Sequence, residues 1–261
     1  MRWKLARDPR SAHHYLLLYD EGWVALPHLL GGRLLGGLRD LLYPEVCAGC
    51  DRVGEGTFCD HCRSAVTPVK APYCRWCGRP CDTGLCSTCL AVRPPFAAAR
   101  AAGLFLDPLA RAIRQLKYHG REHTSTGLVP MLVEAYWDWE ILRPVDLVLP
   151  LPITHGRERR RGYNQSALLA EALALEVGLE YLEGALTRPV HRPPQVGLSR
   201  TDRAANVKGV FRVPLPALVA GRRVLLVDDV MTTGATLTEA SKALLLAGAK
   251  SVSALTLARE P

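Results

Sequence analysis

Two groups of residues in this chain have types and spacings that can do chemistry. The first is the stretch from Asp228 to Thr236, where two adjacent acids are followed by Val230, Met231, Thr232, Thr233, Gly234, Ala235 and Thr236. Hydroxyls and accessible backbone N–H groups at the mouth of a helix suit a phosphate. The unsatisfied N–H donors and partial positive charge of a helix N-terminus attract an anion, and a glycine lets the backbone approach it. The acids need a different partner. Two carboxylates beside an anion site repel the phosphate itself, so they are expected to accept hydrogen bonds from sugar hydroxyls or to hold a divalent cation at one remove. The plainer alternative is a structural strand-turn-helix whose acids cap the helix.

The second group is eight of the nine cysteines. Cys47, Cys50, Cys59 and Cys62 make C-x2-C-x8-C-x2-C, and Cys74, Cys77, Cys86 and Cys89 repeat the pattern. Two cysteines separated by two residues form a knuckle that aims both thiolates at one ion. Two knuckles close a tetrahedral structural zinc site. Two zinc ions per chain are expected, with the pairing of knuckles left open. A disulfide framework and iron–sulfur ligation are the rival readings. Cys81 has no counterpart in the first repeat and reads as a free thiol, and His61 as a solvated side chain.

Further cations gather where an anion would need them. The loop PITHGRERRRGYNQS brings Arg157, Arg159, Arg160 and Arg161 to the end of a strand, and a guanidinium fork matches a pyrophosphate. Lys117 closes a helix, where the dipole favours a cation whether or not a ligand is present. The basic segment Arg188 to Phe211, with Gln195, Leu198, Arg203, Asn206, Gly209 and Phe211, has the length of a functional loop and is expected to form a lid. Arg52, Arg63, Lys70, Tyr73, Arg75, Trp76 and Arg79 interleave charge with aromatics around the cysteines. That pattern suits single-stranded nucleic acid, and a scaffold with a solvated basic face is the equal alternative.

The elements that must position these residues follow from apolar patterning. Val224 to Val227 is a continuous apolar run, as in a strand buried on both faces of a parallel sheet, with the acids where it should stop. Strands are also expected at Ala97 to Leu106, Asp146 to Leu151, Tyr181 to Leu186 and Ser251 to Leu257. Helices should run from Asp107 (cap) to Tyr118, from Thr126 to Trp139, from Asn164 to Leu175 with Leu168, Leu169, Ala172 and Leu175 inward, and after the acids with Leu237, Ala240, Leu244 and Ala247 inward. Such alternation predicts an α/β fold with a parallel twisted sheet. Ligands collect beyond the carboxyl ends of its strands, so the arginine loop and the acids should share one edge.

Residues 41–93 are read as a double zinc-ribbon module and 94–261 as the α/β domain, with the prolines at 94 and 95 marking the boundary. Residues 1–40 carry no ligand spacing and read as an extension, with a short amphipathic helix over Leu34 to Leu42. The 261 residues carry a net charge of +8, so an anionic partner is expected. Charged residues and Pro27 interrupt every apolar stretch near the N-terminus, and no cleavable signal pattern is present. A soluble chain without membrane insertion is expected.

The stretch VLLVDDVMTTGATL resembles the signature of the type I phosphoribosyltransferases. With the cysteine repeats, LKYHG at 116 to 120, RGYNQ within Arg157 to Gln165, and the basic lid, the order of motifs over about residues 40 to 258 resembles the ComF family of competence-associated proteins. That resemblance implies a type I phosphoribosyltransferase fold in which Asp228 and Asp229 bind the ribose of phosphoribosyl pyrophosphate (PRPP). Residues 230–236 would wrap its 5′-phosphate, and Arg157, Arg161 and Lys117 with Mg2+ would hold its pyrophosphate. It also implies handling of single-stranded DNA in the cytoplasm during natural transformation, with competence or DNA-processing proteins as partners. Two classes stay open: a phosphoribosyltransferase with an unidentified acceptor, and a binding module that keeps the nucleotide-sugar site.

Overall fold

The computed structural model describes residues 4–7, 15–19, 22–25, 45–118, 120–189 and 209–261. They fall into two compact units, Met1–Glu45 and Val46–Pro261. In the first, β1 (Lys4–Arg7), β2 (Tyr15–Tyr19) and β3 (Gly22–Ala25) form an antiparallel meander in the order β1-β2-β3, where the sequence reading expected no regular structure. The helix expected over 34–42 lies outside the described residues.

The second unit is built on a five-stranded parallel sheet. Its strands are β4 (Ala98–Leu104), β5 (Leu147–Pro150), β6 (Glu180–Tyr181), β7 (Arg223–Met231) and β8 (Ser251–Arg259). The order is β4-β8-β7-β5-β6, every pair parallel. Helices α1 (Asp60–Ser64) and α2 (Ser87–Ala91) belong to the cysteine repeats. The others are α3 (Leu109–Leu116), α4 (Thr124–Asp138), α5 (His155–Arg161), α6 (Gln165–Val177) and α7 (Ala235–Leu246). Apolar side chains pack on both faces of the sheet: Leu225, Val227 and Leu255 toward α3, α4 and α6, and Leu226, Val224 and Ala254 toward α7. Central strands covered on two faces must be apolar at every position, which is why Val224 to Val227 reads without alternation.

After β5 the chain moves outward to β6, and after β7 it moves the other way to β8. The strand order therefore reverses between β5 and β7, and a crevice opens beyond their carboxyl ends. In register, Pro150 is opposite Val227, so the acids lie just past the end of β5.

Several boundaries differ from the sequence reading. β7 does not stop at the acids: Asp228 pairs with Thr256 and Val230 with Ala258, because β8 continues beside them and supplies ladder partners. The arginine segment is not a loop throughout but contains α5. Its last turn holds Arg159, Arg160 and Arg161, which suit the negative end of the helix dipole, and Gly162 ends it in the left-handed region at φ 85°. α6 buries Gln165, Ser166, Leu169, Ala170, Leu173 and Ala174, so its inward face is rotated from the expected one and Leu175 is exposed. On α7, Ser241 rather than Ala247 completes the buried face. The strand expected over 181–186 is only Glu180–Tyr181, since the chain turns at Gly184 with φ 80°. Pro108, not Asp107, precedes α3, and Asp107 instead accepts from Arg114 at 2.7 Å.

β4 is an edge strand, and the cysteine repeats cover its open side. Ala99 N–H donates to Trp76 O at 2.7 Å and Leu104 N–H to Thr67 O at 2.8 Å. Gly103 permits this contact, because a Cβ there would lie 2.6 Å from Val66 Cγ1. Pairing the edge removes a row of free donors and acceptors that would otherwise recruit another strand.

Candidate functional site

The cysteines divide as the repeats do. Cys47, Cys50, Cys59 and Cys62 bring four sulfurs within 4.8 Å of one another, and so do Cys74, Cys77, Cys86 and Cys89. Knuckles are not exchanged between repeats. Cys47 and Cys62 sulfurs are 3.7 Å apart, Cys50 and Cys59 3.7 Å, and Cys77 and Cys86 3.6 Å. Four sulfurs at about 2.3 Å from a tetrahedral zinc ion lie roughly 3.8 Å apart, whereas a disulfide would bring a pair to about 2 Å. The donor sets fit two zinc ions. Burial opposes ionisation of Cys47, but N–H groups of Cys59, Gly49 and Cys50 outweigh it and bring the thiol down to about 6. Cys74 is likewise brought down to about 6 by N–H groups of Cys77, Cys86 and Trp76 against burial. Burial pushes Cys62, Cys77 and Cys89 the other way, Cys77 to about 11, so each quartet favours one thiolate and a bound ion must draw off the remaining protons. Cys81 and His61 belong to neither cluster.

The acids sit at the crevice between β5 and β7. Asp229 is 4% exposed and accepts from Gln165 Nε2 at 2.7 Å, and Lys117 Nζ is 2.7 Å from its other oxygen. Asp228 accepts from Ser166 Oγ at 2.8 Å. Gln165 and Ser166 open α6, whose N-cap is Asn164: its side chain accepts from Ser166 N–H at 3.1 Å and donates to Leu151 O at 3.2 Å. That cap fixes the helix start against the end of β5, and so places the two donors over the acids. Arg161 Nη1 donates to Gln165 Oε1 at 2.6 Å, which turns the amide nitrogen toward Asp229. Tyr163 OH donates to Leu116 O at 2.6 Å and ties the arginine segment to the end of α3, where Lys117 begins. The helix-end explanation for Lys117 is therefore incomplete: its ammonium faces a buried carboxylate.

Burial and the adjoining Asp229 carboxylate push Asp228 up to about 7, with the Ser166 hydroxyl and Lys117 acting in the opposite sense. Ionising two adjacent acids side by side is costly, and a ligand that donates hydroxyls or brings a cation would relieve that cost.

Beyond the acids, β7 ends at Met231 and the turn at Thr232 and Thr233 leads to Gly234, whose φ of 80° precedes α7. A Cβ on Gly234 would lie 2.6 Å from Met231 Cε, the movable end of a flexible side chain, so it is the positive φ that calls for glycine here. Thr233 Oγ1 accepts from Ala235 N–H at 3.3 Å. The Thr236 and Leu237 N–H groups lie in the first turn of α7, where helical geometry offers them no partner. Val230 is half-buried beside the acids.

Of the expected cations, Arg161 and Lys117 meet at the acids; burial and the exposed Arg157 of α5 work against the charge of Arg161, and Asp229 works for it. Arg188 was readable only as part of a basic segment. The structure stacks its guanidinium 5.5 Å from the Phe211 ring, where burial and Arg157 work against its charge and Asp228 works for it. A cleft of about 360 Å3 adjoins it, lined by Pro150, Ile153, Asn164 and Leu186. Gln195, Leu198, Arg203 and Asn206 lie outside the described residues, as does His119. Phe211 does not cover a ligand edge, being buried in the core on the α7 side of the sheet, and Gly209 N–H donates to Glu239. Ser166, Gln165 and Arg188 were missed because their roles depend on contacts far away in the chain; the only local signal was an Asn cap followed by two polar residues.

The interleaved basic and aromatic residues are mostly engaged within the chain. Arg63 pairs with Glu134, Arg52 with Glu55, and Arg79 donates to Thr232 O at 3.3 Å. Tyr73 packs edge-on against Trp139 with Arg100 over both rings. Lys70 is exposed, and the half-buried Trp76 has the guanidinium groups of the exposed Arg75 and Arg93 at 5.3 and 5.2 Å from its ring centroid.

Comparison with known proteins agrees with this division. Residues 38–92 match the double zinc ribbon domain family and residues 160–261 the phosphoribosyl transferase domain family. The chain is 32% identical to competence protein F of Haemophilus influenzae, over 82% of this chain and 95% of that protein. It is 33% identical to the DNA utilization protein YhgH of Escherichia coli, over 84% and 99% respectively. Competence protein ComFC of Bacillus subtilis is 27% identical over 77% of this chain and 83% of its own length.

Proposed function

The chain belongs to the competence protein F family, and from that premise we propose that it binds PRPP or a related ribose phosphate in the crevice between β5 and β7. One observation carries the reading: paired acids at the carboxyl end of β7 are followed directly by the Thr232–Gly234 turn into α7, at the point where the strand order reverses. In this reading the sugar hydroxyls donate to Asp228 and Asp229 and take over from Lys117. The 5′-phosphate lies on the N–H groups of residues 232–236. Arg157, Arg161, Arg188 and the released Lys117 hold the pyrophosphate end. Mg2+ would enter with the ligand's pyrophosphate and neutralise its charge; the acids fit it at one remove, since Ser166 and Gln165 already donate to them.

Turnover would follow if a nucleophile attacks C1′ as pyrophosphate leaves. Positioning and electrostatics would then carry the step without a covalent intermediate. Calorimetric titration with PRPP and Mg2+ tests the binding, and absence of binding sinks the reading. Pyrophosphate release with a panel of bases and amines separates an enzyme from a binding module: binding without release favours the module.

A second reading concerns DNA. The Arg75–Trp76–Arg93 group pairs a stacking surface with two cations, the combination that holds single-stranded nucleic acid irrespective of sequence. It supports a cytoplasmic role in handling single strands during DNA uptake, alongside competence or DNA-processing proteins. Affinity for single-stranded DNA should fall steeply with salt as counterions are released. Binding that is absent, or unaltered by Trp76→Ala, would refute this surface.

A further inference from the structure

The two cysteine centres are attached to different parts of the fold. The first leans on helices: Arg63 of α1 pairs with Glu134 of α4, Arg111 of α3 reaches Gly49 O and Asp51, and Gly127 leaves room for Phe58. The second leans on the ends of β7 and β8, beside the turn that follows β7. Arg259, the last residue of β8 and 2% exposed, donates through Nη1 to Cys77 O at 2.6 Å and lies 3.1 Å from Met231 Sδ. Met231 in turn fills the space beneath Gly234. From the ribbon itself, Arg79 donates to Thr232 O, and its own carbonyl accepts from Cys74 N–H at 2.7 Å. Met231 and Thr232, which open the 231–234 turn, are thus both contacted by arginines tied to the loop that Cys74 and Cys77 define.

We propose that the second centre, Cys74, Cys77, Cys86 and Cys89, is a positioning element for the phosphate turn. Arg259 and Arg79 carry the shape of its metal-held knuckle to residues 231–234, so a ribose phosphate binds tightly only when this centre is intact. The proposal rests on the ribose-phosphate reading above. It also assigns the two centres unequal roles: the first braces α3 and α4, and the second shapes the site. Arg79 and Arg259 are positioning residues, acting through the backbone at Thr232 and the side chain of Met231.

The test uses the full zinc-loaded chain and two readouts, hydrogen exchange of the 231–236 amides without ligand and calorimetry with ribose 5-phosphate. Arg79→Met and Arg259→Met should retain two zinc ions, exchange faster across 231–236 and bind ribose 5-phosphate about five- to tenfold more weakly, the size expected for loss of one ordinary hydrogen bond. Arg79→Lys should recover part of the affinity. Glu134→Ala, which loosens the first centre from α4, should leave both readouts at wild-type values. If Arg259→Met does not fold, the two Arg79 variants decide. Unchanged affinity in Arg79→Met with both zinc ions retained overturns the proposal, as does an equal loss in Glu134→Ala. Should the wild-type chain itself fail to bind ribose 5-phosphate, the ligand reading falls and exchange alone decides: faster exchange in Arg79→Met upholds the coupling, and unchanged exchange overturns it.

Discussion

Replacing Asp228 by Asn should stabilise the unliganded protein while damaging its site. The carboxyl of Asp228 is pushed from its ordinary 3.8 to about 7 by burial and by Asp229. A folded-state value above the unfolded one means that the native chain holds a proton the unfolded chain has released. Stability is therefore lost as pH rises from about 4 to about 7, and the loss stays complete above that. At roughly 1.4 kcal/mol per pH unit the full penalty is about 4 kcal/mol, and coupling to Asp229 and Lys117 argues for about half of it. Asn keeps the acceptor for Ser166 Oγ and never ionises, so it escapes the penalty. In a unit of this size about 2 kcal/mol corresponds to a rise of roughly 4–8 °C in Tm. Thermal unfolding of wild type and Asp228→Asn at pH 4, 5, 6, 7 and 8 should show the difference growing between pH 4 and 7 and then levelling. PRPP affinity should fall in the same variant. A pH-independent difference, or a variant less stable than wild type at pH 8, would refute the electrostatic account of this pair.

Other outcomes follow from the same contacts. Lys117→Met leaves the buried Asp229 carboxylate with Gln165 but no cation, which should cost about 3 kcal/mol, read as a lower urea midpoint at pH 7; an unchanged midpoint would show the ion pair to be dispensable. Gly234→Ala must hold a side chain at positive φ against Met231, so ribose-phosphate affinity should drop while zinc content stays at two per chain. Wild-type affinity there would argue against the turn as the phosphate site. Exhaustive chelation should release both zinc ions and uncover β4, whose edge is paired to Trp76 and Thr67; light scattering should then rise, and a clear, monodisperse apo protein would contradict the edge-covering role.

Local rules were sufficient for the parts of the molecule whose chemistry is local. Zinc ligands two residues apart must share an ion, so both quartets were readable from spacing. β7 was readable because a strand buried on both faces has to be apolar throughout, and the turn after it because glycine and threonines before a helix have few other uses. The limits of local reading are equally specific. Leu175 continues an apolar pattern and so reads as inward, but α6 turns its Gln165 and Ser166 to the acids and leaves Leu175 exposed. Arg63, Tyr73 and Arg79 looked like a nucleic-acid surface, yet each is engaged by a residue more than sixty positions away. Composition records that a charge is present and is silent on its partner.

The sequence by itself determined the two cysteine quartets, the parallel sheet and the order of acids, turn and helix, because each follows from spacing or patterning along a short stretch of chain. Only the tertiary structure decided that the acids belong to β7, since strand length there is set by β8 alongside. It alone put Lys117 against Asp229, Ser166 against Asp228, and Arg259 between a cysteine knuckle and Met231. Those contacts join segments far apart in the chain, and their geometry exists only once the sheet has set the distances.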